Sequence, residues 1–213
     1  KKILITGGGG YIGVVATEEL LKKGYQVKVL DTLYWGREPL KHLLKKIELV
    51  QQDIRNVSSD VLDNVNTVIH TAGLSNDPMA DFNSKANFQI NTIATIKFAR
   101  LCKKKGVKKF IFASSASIYD RKNDGNILQD ENSKVSPTAA YSVSKLKAEK
   151  GLLKLADQNF CPVIFRQGTV YGYSPRLRYD LVVNTMVKDA LLKGEIRVFC
   201  QGKQWRPLVD VND

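Results

Sequence analysis

Short apolar runs alternate with longer stretches of helical period through the first 170 positions of the chain. Positions 2–6, 26–31, 47–52, 67–70, 109–114 and 162–166 are apolar on consecutive residues and rich in Val, Ile and Phe. That is how parallel strands buried on both faces read. Between them, 11–23, 39–45, 81–104 and 140–157 carry helical spacing. Strands that alternate with helices define an α/β protein, here a doubly wound parallel sheet. After position 170 the character changes. A loop is expected over 173–176, a helix over 177–192, a short strand over 196–199, a polar turn over 201–204 and a last strand over 208–211. The predicted organisation is therefore a Rossmann-like domain over 1–170 and the start of a smaller unit over 171–213.

Composition narrows the class. The 213 residues are 43% hydrophobic and 25% charged, as in an ordinary globular protein. Disordered, collagen-like and disulfide-stapled classes are excluded. No apolar run approaches the ~18–20 residues that cross a bilayer. No secretory signal opens the chain, and position 1 is Lys, so at least an initiator Met is expected to have been lost. Cys102, Cys161 and Cys200 have no metal-ligand spacing. They read as reduced thiols of a cytoplasmic protein, buried as apolar fillers. The formal charge of +12 permits an anionic partner. The lysines are dispersed, though, with clusters such as Lys103–Lys104–Lys105 at a helix end, where cations are favoured anyway. A solvated basic surface is expected rather than a nucleic-acid site.

Two local patterns carry chemistry. Thr6–Gly7–Gly8–Gly9–Gly10–Tyr11–Ile12–Gly13 follows the first strand and opens the first helix. Gly7, Gly10 and Gly13 let the backbone approach a pyrophosphate, and the helix N-terminus supplies positive partial charge. The second strand ends in Asp31, 18 residues beyond Gly13. A carboxylate there accepts from both adenine-ribose hydroxyls and repels a 2′-phosphate, so NAD is expected over NADP. The second pattern is Tyr141–Ser142–Val143–Ser144–Lys145, which places a phenol and an ammonium on one helix face. An unperturbed tyrosine has a pKa of about 10, and a neighbouring cation lowers it toward working pH. Upstream, Ser114, Ser115 and Ser117 follow a predicted strand end, where ligands bind in open α/β sheets. Each could hydrogen-bond a substrate oxygen beside the tyrosine.

With these motifs in view, the chain resembles an extended short-chain dehydrogenase/reductase of the NAD-dependent epimerase/dehydratase family, which works on nucleotide sugars. The resemblance runs along essentially the whole chain, through TGGGGYIG, VLD, Asp53–Ile54–Arg55, His70–Thr71–Ala72–Gly73, Asn91, SSASIY, YSVSK, RQGTVYG and QWRPLVDV. It implies that Gly7, Gly10, Tyr11, Ile12 and Gly13 form the pyrophosphate turn and that Asp31 binds ribose. Asp53 and Ile54 would flank the adenine, and Thr71, Ala72 and Gly73 would run past the phosphates and ribose. Asn91 would support the active site. The resemblance selects Ser115 as the catalytic hydroxyl, with Tyr141 and Lys145 as its partners. Thr169 would lie near the sugar diphosphate, and Arg206 would contact the substrate phosphates.

The departures are informative. Dehydratases of this family place an Asp–Glu pair directly after the catalytic Ser or Thr. Here Ala116 and Ser117 stand there, which favours an epimerase. Asp120 and Asp210 replace a common Gly and His and bear on substrate placement. Members normally continue past the RPLVDV segment, so a truncated substrate domain is expected. The implied activity is 4-epimerisation of a UDP- or dTDP-hexose through a 4-keto intermediate. A dehydratase or reductase of the same family is the nearest alternative. A non-catalytic NAD-sensing or nucleic-acid-binding protein is the alternative of another class. Relatives pair two long helices per subunit into a four-helix homodimer; here those would be 81–104 and 140–157. Phe88, Ile93, Ile96 and Phe98 could serve that interface or the internal core.

Overall fold

The computed structural model describes residues 1–119, 128–203 and 205–213. Six strands, β1 (Lys2–Thr6), β2 (Gln26–Asp31), β3 (Ile47–Gln51), β4 (Val65–His70), β5 (Lys109–Ala113) and β6 (Cys161–Phe165), form one parallel sheet. Its order is β3-β2-β1-β4-β5-β6. The direction of winding reverses between β1 and β4, and ligands bind outside the carboxyl ends of strands at such a reversal. β7 (Thr169–Tyr171) and β8 (Leu208–Asp210) make a separate two-stranded parallel sheet, with Val170 opposite Val209.

The pleat sorts the apolar residues into two layers. Ile3 and Ile5 of β1 face one side, with Val27 and Val29 of β2 and Val14 and Val15 of α1 (Tyr11–Lys22). Leu4 and Leu30 face the other, with Val68, Phe98, Phe110, Phe112, Leu152 and Phe160. Successive side chains of a strand point to opposite faces. A strand covered on both sides is therefore apolar at most positions; in β2 the buried exception is Lys28, paired with Glu48.

The helices differ from expectation in three places. The stretch 81–104 is not one helix but α2 (Asp77–Phe82), α3 (Ser84–Phe88), a π-helical turn Gln89–Ala94 and α4 (Thr95–Lys104). Asn83, at φ −146° and ψ 82°, breaks the path. The Asn76 side chain accepts from Met79 N–H, and that of Asn83 accepts from Ala86 N–H. These are N-cap bonds, and Pro78 in the first turn of α2 reinforces that start. The 39–45 stretch is the 3-10 helix Glu38–Leu43. The helix expected from 177 begins later, as α6 (Val182–Lys193), and stops at Gly194 with φ +69°. The strand expected over 196–199 is absent. Among the described residues no strand pairs with it, and Ile196, Val198 and Phe199 are exposed. α5 (Ala140–Leu153) matches its pattern and packs on α3, α4 and the π turn. Phe98 is core, and Ile96 lies against Gly151 of α5 in the same chain. Cys102 is buried and Cys161 exposed, both unpaired. Among the described residues no helix is long and apolar enough to cross a membrane.

Candidate active site

The carboxyl ends of β1, β2, β4, β5 and β6 open into one cleft of about 2490 Å³. A single small-molecule site is commonly ~300–1,000 Å³, so the space accommodates more than one ligand. Gly7, Gly10, Tyr11, Ile12, Gly13, Asp31, Asp53, Ile54, Thr71, Ala72, Gly73, Ser115, Tyr141, Lys145, Thr169 and Arg206 all line it. Asn91 is buried just behind.

The glycine turn is built for close approach. Gly7 sits at φ +73°, and a Cβ there would meet Ala72 N at 2.7 Å. A Cβ on Gly13 would lie 2.1 Å from Gly7 O, so helix and turn touch through backbone alone. The N-cap of α1 is Gly10, which offers no side-chain cap. The first-turn N–H groups of Tyr11, Ile12 and Gly13 have no carbonyl within the helix to bond. They form an anion cradle, and the residues present thus fit a pyrophosphate.

The other candidate cofactor residues are held from behind. Asp31 Oδ2 accepts from Gly9 N–H at 2.9 Å and Oδ1 from Leu33 N–H at 2.7 Å. A carboxylate has about four acceptor positions, so two remain for ribose hydroxyls. Asp53 is gripped by Arg55, with contacts of 3.0, 3.0 and 2.6 Å, which hold its carboxyl below the usual range. Ile54 is only 6% exposed and packs into the core. The Thr71 hydroxyl donates to Thr6 O at 2.8 Å. The Asn91 amide bonds both Leu74 N–H and Leu74 O at 2.9 Å, which fixes the loop next to Gly73. Tyr11 turns its hydroxyl away from the glycine turn, donating to Gly172 O at 2.7 Å. Its side chain thereby ties α1 to the segment after β7.

The Ser–Tyr–Lys set converges. Ser115 lies beside the Tyr141 phenol and acts to lower its pKa. Lys145 Nζ donates to Ala113 O at 2.8 Å and lies 5.8 Å from the Tyr141 ring centre. Ser114 and Ser117 are committed elsewhere: Ser114 Oγ donates to Glu149, and Ser117 Oγ accepts from Ser142 at 2.9 Å. Geometry thus separates three serines that chemistry alone left equivalent.

Charge departs from expectation in one respect. Burial pushes the Tyr141 phenol up to about 12, while the Ser115 hydroxyl and the Arg178 charge pull it down. Burial also lowers the Lys145 ammonium to about 8. The lysine is aimed at a carbonyl rather than at the phenol oxygen.

Several residues escaped the sequence reading. Buried Glu149 and half-buried Arg166 form an ion pair behind the serines. Asp77 lines the cleft near enough to raise the Tyr141 pKa. Trp35 and Arg176 meet at the cleft. Only Glu149 left a sequence signal, as the next i+4 position after Tyr141 and Lys145. Thr169 N–H donates to Pro207 O at 2.8 Å, which brings Thr169 and the Arg206 segment together. Asp210 bonds Asn212 instead of lining the cleft. Asp120 lies outside the described residues.

This fold and cleft define a dinucleotide-binding α/β protein. Residues 3–213 match the NAD dependent epimerase/dehydratase family, and the chain belongs to it. It is 31% identical over 226 residues to YtcB, an uncharacterised UDP-glucose epimerase of Bacillus subtilis (strain 168), covering 100% of this chain and 69% of that protein. The UDP-glucose 4-epimerase of Thermotoga maritima, solved with UDP-glucose, superposes with a TM-score of 0.89 at 25% identity. It matches 100% of this chain and 70% of that one. The UDP-glucuronic acid 4-epimerase of Bacillus cereus, solved with UDP-glucuronic acid and NAD, gives 0.85 at 27% identity, again over 100% and 70%.

Proposed function

We propose that this chain is the NAD-dependent part of a nucleotide-sugar 4-epimerase acting on a UDP- or dTDP-hexose. The observation that carries the reading is the convergence of Ser115, Tyr141 and Lys145 on one cleft, with Ala116 and Ser117 next in the chain after Ser115. Elimination of water needs an acid and a base beside the sugar. Ala116 has no such group, and the Ser117 hydroxyl is engaged by Ser142. The 4-epimerase structures similar to this chain point the same way.

In this reading Gly7, Gly10, Tyr11, Ile12 and Gly13 hold the pyrophosphate of NAD at the N-terminus of α1. Asp31 holds the adenine ribose, and Asp53 and Ile54 border the adenine. Thr71, Ala72 and Gly73 pass the phosphates, with Asn91 as their brace, and Lys145 reaches the nicotinamide ribose. NAD supplies a reversible hydride acceptor for sugar C4. Tyr141, as phenolate, takes the proton of the C4 hydroxyl and later returns it. Ser115 donates a hydrogen bond to that oxygen as it becomes a carbonyl. Thr169 and Arg206 border the sugar diphosphate. Residues 1–170 carry cofactor and chemistry, and 171–213 begin the substrate side. A cytoplasmic homodimer fits the family, with α4 and α5 as the shared helices.

Proton NMR of UDP- and dTDP-hexoses with NAD⁺ tests the reading. Gluco and galacto signals should interconvert at constant NADH. Tyr141→Phe should lower the rate by ~10²–10⁴-fold. Epimerisation that survives this substitution unchanged overturns the assignment, and a 4-keto-6-deoxy product selects the dehydratase.

A further inference from the structure

Three consecutive residues leaving β5 meet three successive turns of α5. Ala113 O accepts from Lys145 Nζ, Ser114 Oγ donates to Glu149, and Ser115 lies beside Tyr141. The spacing Tyr141, Lys145, Glu149 is what makes this possible, since residues four apart on a helix are neighbours on its surface. Two of these three contacts belong to the catalytic set of the proposed function. The third does not.

Glu149 is 1% exposed. A carboxylate taken that far from water survives as an ion only when paired and fully hydrogen-bonded. Arg166, at the end of β6, supplies the pair through Nε at 3.3 and 3.2 Å and Nη2 at 2.9 Å. Arg166 continues to the far side of the serine turn. Its Nη1 donates to the Tyr119 hydroxyl at 2.9 Å, and its guanidinium stands 5.2 Å over the Tyr119 ring. Tyr119 ends the 3-10 turn Ala116–Tyr119 that starts just after Ser115. The ion pair thus grips the chain immediately before Ser115 and again four residues after it.

We propose that Glu149, anchored by Arg166, is a positioning residue of this site: it fixes the turn that presents Ser115 and sets the charge beside Lys145, its neighbour one helical turn back. This rests on the function proposed above. The groups facing Lys145 support it. On its own helix these are Tyr141 and Glu149. On β4 it is His70, which is neutral, and on β5 it is the Phe112 ring, 4.8 Å from Nζ. Arg166 stands beyond Glu149. Burial depresses the Lys145 pKa to about 8, and Glu149 is the charge that opposes the depression. Without that carboxylate the depression of the Lys145 pKa is expected to deepen.

Glu149→Gln alone would leave the half-buried Arg166 guanidinium without its counter-charge and threatens folding. The test therefore uses Glu149→Gln with Arg166→Met, which removes both charges together. Lys145 is read directly by ¹³Cε-lysine NMR, assigned with Lys145→Arg, and the pH profile of epimerisation is measured alongside. The double variant is expected to titrate Lys145 about one pH unit lower. The alkaline limb of its rate profile should move by the same amount, and kcat should fall more than tenfold with the NAD Kd within twofold. A folded double variant with an unchanged Lys145 midpoint and kcat would make the pair purely structural and overturn the proposal. The NMR midpoint needs no turnover. If no nucleotide sugar is converted by the native chain, the function fails, yet the lysine shift is still read independently.

Discussion

The Arg176 guanidinium lies 4.2 Å from the centre of the Trp35 indole. Trp35 belongs to the loop after β2, four residues past Asp31, and Arg176 to the segment between β7 and α6. Their stacking joins the cofactor side of the cleft to the opposite side. A cation–π contact at an exposed site contributes about 0.5–1 kcal/mol. Trp35→Ala is therefore expected to speed NAD release by about two- to fivefold in a stopped-flow displacement experiment. Turnover at saturating NAD should be unaltered. An unchanged release rate would show that the clasp does not retain the cofactor.

The serines make a sharper comparison. Ser115 lies beside the phenol and acts to lower its pKa, whereas Ser117 is turned to Ser142. Ser115→Ala should lower kcat by ~10²-fold with little change in KM, the signature of a lost transition-state hydrogen bond. Ser117→Ala should stay within about threefold of the native enzyme. Equal losses in the two variants would return the assignment to the ambiguity of the sequence.

Gly13 is limited by backbone on every side, with Gly7 O, Gly8 Cα and Gly7 C the nearest atoms. Gly13→Ala must displace the turn from the helix. The expected result is loss of NAD binding by calorimetry and a destabilisation of about 1–3 kcal/mol. Gly24→Ala makes a control: nothing lies near its Cβ, but φ is +79°, so it should lose stability without losing NAD affinity.

His70 links β1 to α4, with Nδ1 2.7 Å from the Thr6 hydroxyl and Nε2 2.9 Å from that of Thr95. Burial first, and the Lys145 charge second, lower its pKa to about 3. The unfolded chain takes up this proton near pH 6.5, the folded chain only near 3. Stability is therefore present above pH 6.5 and is lost as pH falls from 6.5 toward 3. At ~1.4 kcal/mol per pKa unit, roughly 2–3 kcal/mol should disappear between pH 7 and 4.5. Urea unfolding at both values should show His70→Gln losing less by that amount. Parallel losses in the two proteins would mean that His70 takes no part in the acid response.

What the sequence determined was local. Strand runs, the glycine turn with Asp31 at the next strand end, and Tyr141 four residues before Lys145 are patterns within a few positions, and side-chain period and backbone sterics impose them wherever they occur. The tertiary structure decided what depends on partners distant in the chain. Ser115 rather than Ser114 faces Tyr141 because Glu149, 35 residues from Ser114, takes the other hydroxyl. Tyr11 leaves the glycine turn because Gly172 offers a carbonyl 161 residues away. The run 196–199 stays irregular because no described strand pairs with it. The Tyr141 phenol is held near 12 because burial outweighs the neighbouring charges. Hydrogen-bond partners and desolvation are properties of the packed molecule, and no window of sequence contains them.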